Sequence, residues 1–201
     1  MYSVSHIINS VYTSRTYIIA NETRTEYWLV DCGDVPPLME KMSDFREGSF
    51  VIRGVLLTHI HYDHFYGLPK LTELFPEIKV YTNEYGRKAL ANERMNMSRY
   101  HEDPINYVTD NVMVCEEGSR IELFEGLTAK VYETPGHNPS CLTFELGDYL
   151  FTGDSYIPGI KVVTNLPGGN KSLAQQSLER IKKLSLGKIV CAGHDSMEGN
   201  Y

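Results

Sequence analysis

The stretch THIHYDH, residues 58–64, follows directly on the apolar run Val55-Leu56-Leu57. Three imidazoles and a carboxylate within six residues repel one another when charged, and they are costly to desolvate without partners. An apolar strand that ends in such a cluster must deliver it to something that satisfies it. Residues two apart on an extended segment point the same way, so His59 and His61 can share one centre. A helical turn beginning after them swings Asp63 and His64 toward an adjacent point. Neutral imidazole and carboxylate are good ligands for zinc, and they suit iron and manganese less selectively.

Three more potential ligands follow, each at the end of an apolar strand-like run and each directly after a glycine. They are His137 in TPGHNPS, Asp154 in FTGD and His194 in CAGHD. Glycine permits the close backbone approach that a crowded centre needs. Five of the seven histidines thus fall in strand-end loops, where functional groups gather at the open rim of a packed sheet. The other two, His6 and His101, read by default as ordinary hydrogen-bonded histidines. His101 keeps a second reading as a substrate contact, with Arg94, Arg99 and Tyr100, because the polar and aromatic segment 96–111 reads as an irregular connection that can cover a site. Lys161, shortly after Asp154, is placed to reach the same mouth.

The remainder of the chain alternates strands and helices. Strands are expected over 10–20 and 27–33, a short proline-opened helix over 36–47, and a strand buried on both faces over 51–58. Helices over 65–75 and 84–94 flank a strand over 78–82. Four further strands occupy 119–153, an amphipathic helix 172–184 carries Leu173, Leu178, Ile181 and Leu184 on one side, and a last strand spans 187–193. Strand runs of the hairpin kind dominate both halves, which favours two packed sheets with outer helices over a doubly wound parallel sheet. With 201 residues and no repeat or linker, a single domain covering 1–201 is expected.

A net charge of −7 argues against a nucleic-acid backbone as partner. Residues 1–20 show no basic segment leading into an apolar one, and no stretch of about 18 apolar residues occurs that would span a membrane. Cys32, Cys115, Cys141 and Cys191 are widely spaced with no CxxC, as in a cytoplasmic chain with reduced thiols. Cys32 and Cys115 read as core residues. Cys141 and Cys191 do too, although they lie close to the candidate ligands in sequence.

Taken in order, LVDCG, LLTHIHYDH, TPGH, FTGD and AGH make the chain resemble the metallo-β-lactamase superfamily over nearly its whole length. NLPGGN, a helix and then AGH are similar to the short glyoxalase II-like hydrolases within it. The resemblance implies an αββα sandwich of two mixed β-sheets with outer helices and a metal site at one sheet edge. It implies that His59, His61 and His137 hold one divalent cation, that Asp63, His64 and His194 hold a second, that Asp154 bridges them, and that Asp31 orients a ligand histidine. Zinc is the first expectation for both ions, with iron or manganese as alternatives. Such a pair acidifies water enough to make it a nucleophile at neutral pH. Asp63 and Asp154 are then the carboxylates placed to take part in turnover.

The implied activity is hydrolysis of a small thioester or ester, by a monomer or homodimer acting on a small molecule. The resemblance also admits an oxidoreductase of the persulfide-dioxygenase kind with a single iron, and a lactonase or phosphodiesterase. True β-lactamases of this fold generally lack a bridging carboxylate where this chain has Asp154, and oxygen reductases of the fold place a glutamate where it has His61. Two departures stand out. Asn138-Pro139-Ser140-Cys141 replaces the commoner residues after the TPGH histidine, and the last motif reads GHD, with Asp195 in place of glycine. Seven residues follow His194, so the helical region with which glyoxalase II binds glutathione, and with it specificity for glutathione thioesters, is not expected from this sequence.

Overall fold

A computed structural model describes residues 1–43 and 49–195. The expected helix over 36–47 is seen as α1 (Val35–Ser43), and its last expected residues lie outside the described ones. Six strands form the first sheet in chain order: β1 (Tyr2–Ile8), β2 (Arg15–Asn21), β3 (Glu26–Val30), β4 (Val51–Leu56), β5 (Lys79–Thr82) and β6 (Val112–Val114). β1, β2 and β3 pair antiparallel, and β3 to β6 run parallel. The second sheet holds β7 (Arg120–Phe124), β8 (Leu127–Glu133), β9 (Leu142–Leu146), β10 (Tyr149–Gly153) and β11 (Ile189–Ala192). Its order is β11-β10-β9-β8-β7, antiparallel except for the parallel pair β10–β11.

The period-two alternation of strands divides the apolar residues between two cores. On β2, Tyr17 and Ile19 face the second sheet, where they meet Val131, Phe144 and Phe151 in a core between the sheets. Ile18 and Ala20 face the other way, into a core with Leu38 and Met42 of α1 and with Leu68 and Leu71 of α2 (Leu68–Leu74). Ala89 and Leu90 of α3 (Glu84–Leu90) complete that layer. α4 (Lys171–Leu184) covers the second sheet from outside: Ser177 Oγ donates to the Pro135 carbonyl at 2.6 Å, and Gly136 lies so close to Ala174 that a Cβ there would strike its backbone. Helices therefore lie outside two mixed sheets, as expected.

Local departures have tertiary causes. Val11, Tyr12 and Thr13 read as strand, but β2 begins only at Arg15, and Tyr12 and Thr13 take left-handed backbone angles (φ 52° and 57°). α2 starts at Leu68 rather than 65 because residues Tyr62–His64 wind first into a 3₁₀ turn. α3 stops at Leu90, and β6 is a strand that the sequence does not announce. On α4 the buried positions are Ala174, Ser177 and Ile181, while Leu173 is exposed, so the contact face is narrower and smaller in side chain than the leucine stripe. On β4, Arg53 reaches solvent and pairs with Glu26 at 2.5 Å, and Val51 is only half-buried, so two positions of that run are not buried.

Candidate metal centre

Topology brings the candidate residues to one edge. β3 and β4 are parallel, so Asp31 and the cluster from His59 to His64 leave the first sheet at the same end. β9 is antiparallel to both β8 and β10, and β11 is parallel to β10, so β8, β10 and β11 share a direction. His137, Asp154 and His194 follow the ends of those three strands. The two rims meet: Leu142 N donates to the Thr58 carbonyl at 2.7 Å.

All seven candidate ligands converge there. His59, His61 and His137 form one set, Asp63, His64 and His194 a second, and His59, His64 and Asp154 a third between them; within each set the potential ligand atoms lie within 4.8 Å of one another. Asp154 divides its oxygens, with Oδ1 3.5 Å from His64 Nε2 and Oδ2 3.6 Å from His137 Nε2 and 3.4 Å from His194 Nε2. Asp63 Oδ2 is 3.3 Å from His64 Nε2 and 3.2 Å from His194 Nε2. Glycine is needed before three of these residues, and the clash at Gly136 before His137 is with the Ala174 backbone. A Cβ on Gly193 would collide with Asp154 Oδ1, and one on Gly153 (φ 49°) would collide with Thr58 Oγ1.

Four of the five rings are oriented by an acceptor at Nδ1, which leaves Nε2 to face the centre. His64 Nδ1 donates to Asp31 Oδ2 at 2.8 Å, His137 Nδ1 to the Val163 carbonyl at 2.8 Å, and His194 Nδ1 to the Tyr12 carbonyl at 2.9 Å. Thr58 Oγ1 lies 3.2 Å from His59 Nδ1 and donates its own proton to Asp31 Oδ2 at 2.7 Å. Asp31 is buried in a left-handed conformation (φ 60°), and its Oδ1 accepts from Thr58 N at 2.7 Å. His61 is turned the other way. Its Nδ1 faces His137 Nε2 at 2.9 Å, while Asn138 Nδ2 donates to its Nε2 at 3.1 Å. The Asn138 amide is fixed in turn, because its Oδ1 accepts from both the backbone N–H and the hydroxyl of Ser140. Sequence reading missed Asn138, although the altered residues after His137 were the place to look.

Two atoms identify what the arrangement lacks from the protein. His59 Nε2 and Asp154 Oδ1 are buried and have no hydrogen-bond partner. Orphaned buried groups of this kind are destabilising unless an ion takes them up. Their chemistry, imidazole nitrogen and carboxylate oxygen, fits divalent transition metals. The charge distribution agrees. Burial, then the neighbouring histidines, push His59 well below the usual pKa, and burial and His137 bring His61 down to about 3. In the other set, burial opposes a charge on His64, but Asp63, Asp154 and Asp31 outweigh it and hold its pKa well above the usual value. His194 is likewise raised to about 9, against burial, by Asp154 and Asp63. The carboxylates of Asp63 and Asp154 thus favour positive charge at this end of the centre.

The metallo-β-lactamase superfamily model matches residues 11–194, which is most of the chain and every motif of the site. The chain belongs to the metallo-β-lactamase superfamily. A hydroxyacylglutathione hydrolase from Xylella fastidiosa (strain M12) is 31% identical over 168 residues, which are 83% of this chain and 54% of that protein. The chain spans about half the length of the curated relatives it matches. Among solved structures, BLEG-1 B3 metallo-β-lactamase superposes with a TM-score of 0.81 at 26% identity, covering 96% of this chain and 91% of that one. ETHE1 from Myxococcus xanthus superposes with a TM-score of 0.76 at 23% identity, covering 98% and 77%. The superfamily and the His/Asp clusters together indicate divalent metal ions.

The ligand candidates open onto a cavity of about 380 Å³, which His101 and Tyr100 also line. His101 stacks on Tyr62 with ring centroids 3.8 Å apart and planes at 14°. The segment carrying them is pinned rather than loose: buried Asn96 donates to the carbonyls of Ala89 and Ile105, and its Oδ1 accepts from Ser98 N. Lys161 lines an adjoining niche of about 30 Å³ that shares His137, Asp154 and Val163 with this cavity. Arg99 is exposed and lies over the Tyr100 ring at 5.9 Å instead of lining the cavity, and exposed Arg94 does not line it either. Asp195 is held by the Arg15 guanidinium. All four cysteines are buried free thiols, and burial raises Cys141 to about 12, so a thiolate is not to hand. Among the described residues, no helix is long and apolar enough to cross a membrane.

Proposed function

We propose that the chain is a dinuclear metal-dependent hydrolase of a small thioester or ester, of the glyoxalase II kind. His59, His61 and His137 hold one cation, Asp63, His64 and His194 the other, and Asp154 lies between them. The observation that carries this reading is the pair of three-residue sets with Asp154 between them, its Oδ1 toward His64 and its Oδ2 toward both His137 and His194. A structural site would need only one closed tetrahedral set.

When bound, a pair of cations supplies an acidified water and an electrophile for a carbonyl oxygen. The residues of the chain supply orientation and charge. Asp31, Val163 and Tyr12 hold the rings of His64, His137 and His194 with Nε2 inward. Asp63 and Asp154 are kept ionised against burial, chiefly by His64, and are the carboxylates available to receive a proton during turnover. No serine or cysteine nucleophile is called for.

Elemental analysis of the protein as isolated, followed by a substrate panel, tests the proposal. Two metal ions per chain and turnover of a thioester or ester are expected. One iron per chain with oxygen uptake on glutathione persulfide would replace this reading with the dioxygenase one. A β-lactam belongs in the same panel because BLEG-1 is so similar in fold, and hydrolysis of the lactam alone would overturn the ester assignment.

A further inference from the structure

The cavity above the seven candidate ligands has a wall of a different character. It is formed by Tyr12, Tyr62, Met97, Tyr100, Val163 and Leu166, with His101 stacked on Tyr62. Among the described residues, no lysine or arginine lines this cavity. Tyr12, Tyr100 and Val163 are exposed, so large apolar side chains are held at a rim where water would otherwise favour polar ones.

This wall is built into the site. Tyr12 and Val163 present their side chains to the cavity, while their carbonyls fix His194 and His137. Tyr12 and Met97 both take left-handed backbone angles (φ 52° and 64°), which are uncommon for such residues and concentrate where a ligand is held. An anionic substrate would find no guanidinium or ammonium lining the cavity.

From this geometry we infer that the site takes a substrate whose group beyond the scissile carbonyl is uncharged and apolar, aromatic or branched aliphatic, in preference to an anionic peptide thiol such as glutathione. The inference rests on the hydrolase reading and narrows its substrate class. Lys161, which lines the niche adjoining this cavity beside His137 and Asp154, is the nearest counter-argument, and the experiment includes it.

The test compares S-phenyl thioacetate with S-lactoylglutathione on the metal-loaded chain. Equilibrium binding of the inert pair benzyl methyl sulfide and S-methylglutathione is measured in parallel. The neutral thioester should show kcat/KM higher by about tenfold or more, equivalent to about 1.4 kcal/mol from contact with the apolar wall. The neutral sulfide should bind more tightly by a similar factor. Tyr100→Ser should raise KM for the neutral substrate about two- to tenfold with kcat little changed. Lys161→Met should leave the preference in place. Tighter binding of S-methylglutathione, or a glutathione preference that Lys161→Met abolishes, would overturn the inference. If neither thioester turns over, the hydrolase reading falls, and the inert pair alone decides whether the wall is apolar-selective.

Discussion

On the floor of the cavity His59, His61, Asp63, His64 and His137 are all buried, and the rings are aimed by specific acceptors or donors. At the mouth Tyr12 and Tyr100 are exposed, and Tyr62 and His101 hold one another by stacking. The floor depends on directional bonds between low-dielectric groups, so removing one partner strands another. The mouth depends on area and shape, which tolerate change in steps. Chemistry is therefore fixed by the floor, and choice of substrate by the mouth.

The sharpest way to break this contrast is Asp154→Ala. It removes the carboxylate shared by both ligand sets, and kcat/KM for any hydrolysed ester should fall by about three orders of magnitude, roughly 4 kcal/mol of barrier. Metal content measured on the same sample should drop below two ions per chain. Retained activity would mean that the floor does not work as a unit.

Asp31→Ala tests a residue of the floor that faces no substrate. It strands Thr58 N–H, the Thr58 hydroxyl and His64 Nδ1 together. Metal affinity, read by competition with a chelator, should fall about 10- to 100-fold. Unfolding free energy of the metal-free chain should fall by about 3 kcal/mol, since a buried charged pair has lost one member.

Proton release sharpens the electrostatic half of the contrast. His194 has its pKa raised to about 9 in the metal-free chain. At pH 7.5 it carries a proton that a cation must displace, so metal uptake should acidify a weakly buffered solution, and affinity should rise with pH toward 9. The stability linkage runs the opposite way. For a histidine whose folded pKa exceeds the unfolded value of about 6.5, the contribution is complete below 6.5 and is lost as pH rises through 9. Thermal melts of metal-free protein between pH 6.5 and 9.5 should show a declining midpoint.

The smallest effect is expected from Arg99→Ala. Its guanidinium lies over Tyr100 and outside the cavity, so kcat/KM should change by less than about twofold. A large loss specific to anionic substrates would move Arg99 into the mouth and weaken the distinction drawn between the two regions.

The floor was legible because its side chains are chemically improbable anywhere else. A run such as HIHYDH after an apolar strand, and lone histidines or aspartates after glycine at three later strand ends, mark themselves by polarity against their surroundings. The mouth did so only in part: the polar and aromatic segment 96–111 pointed to Tyr100 and His101, which line the cavity, but Tyr12, Tyr62, Met97 and Leu166 look the same in a loop whether they lie over a site or elsewhere. Tyr12 even read as strand, and only the left-handed turn at residues 12–13 places it beside His194. Asn138 was visible as a departure from the family pattern, but its bond to His61 depends on Ser140 fixing the amide in space.

By itself the sequence determined the residue types of the centre, their order, and the alternation that divides apolar side chains between two cores. Only the tertiary structure decided that strands from two sheets end at one edge, which ring nitrogen of each histidine faces inward, and which aromatics surround the opening. The physical reason is range. Hydrophobic period and ligand chemistry are local properties of a segment, whereas strand direction, hydrogen-bond partnership and cavity lining arise from groups up to 182 positions apart along the chain.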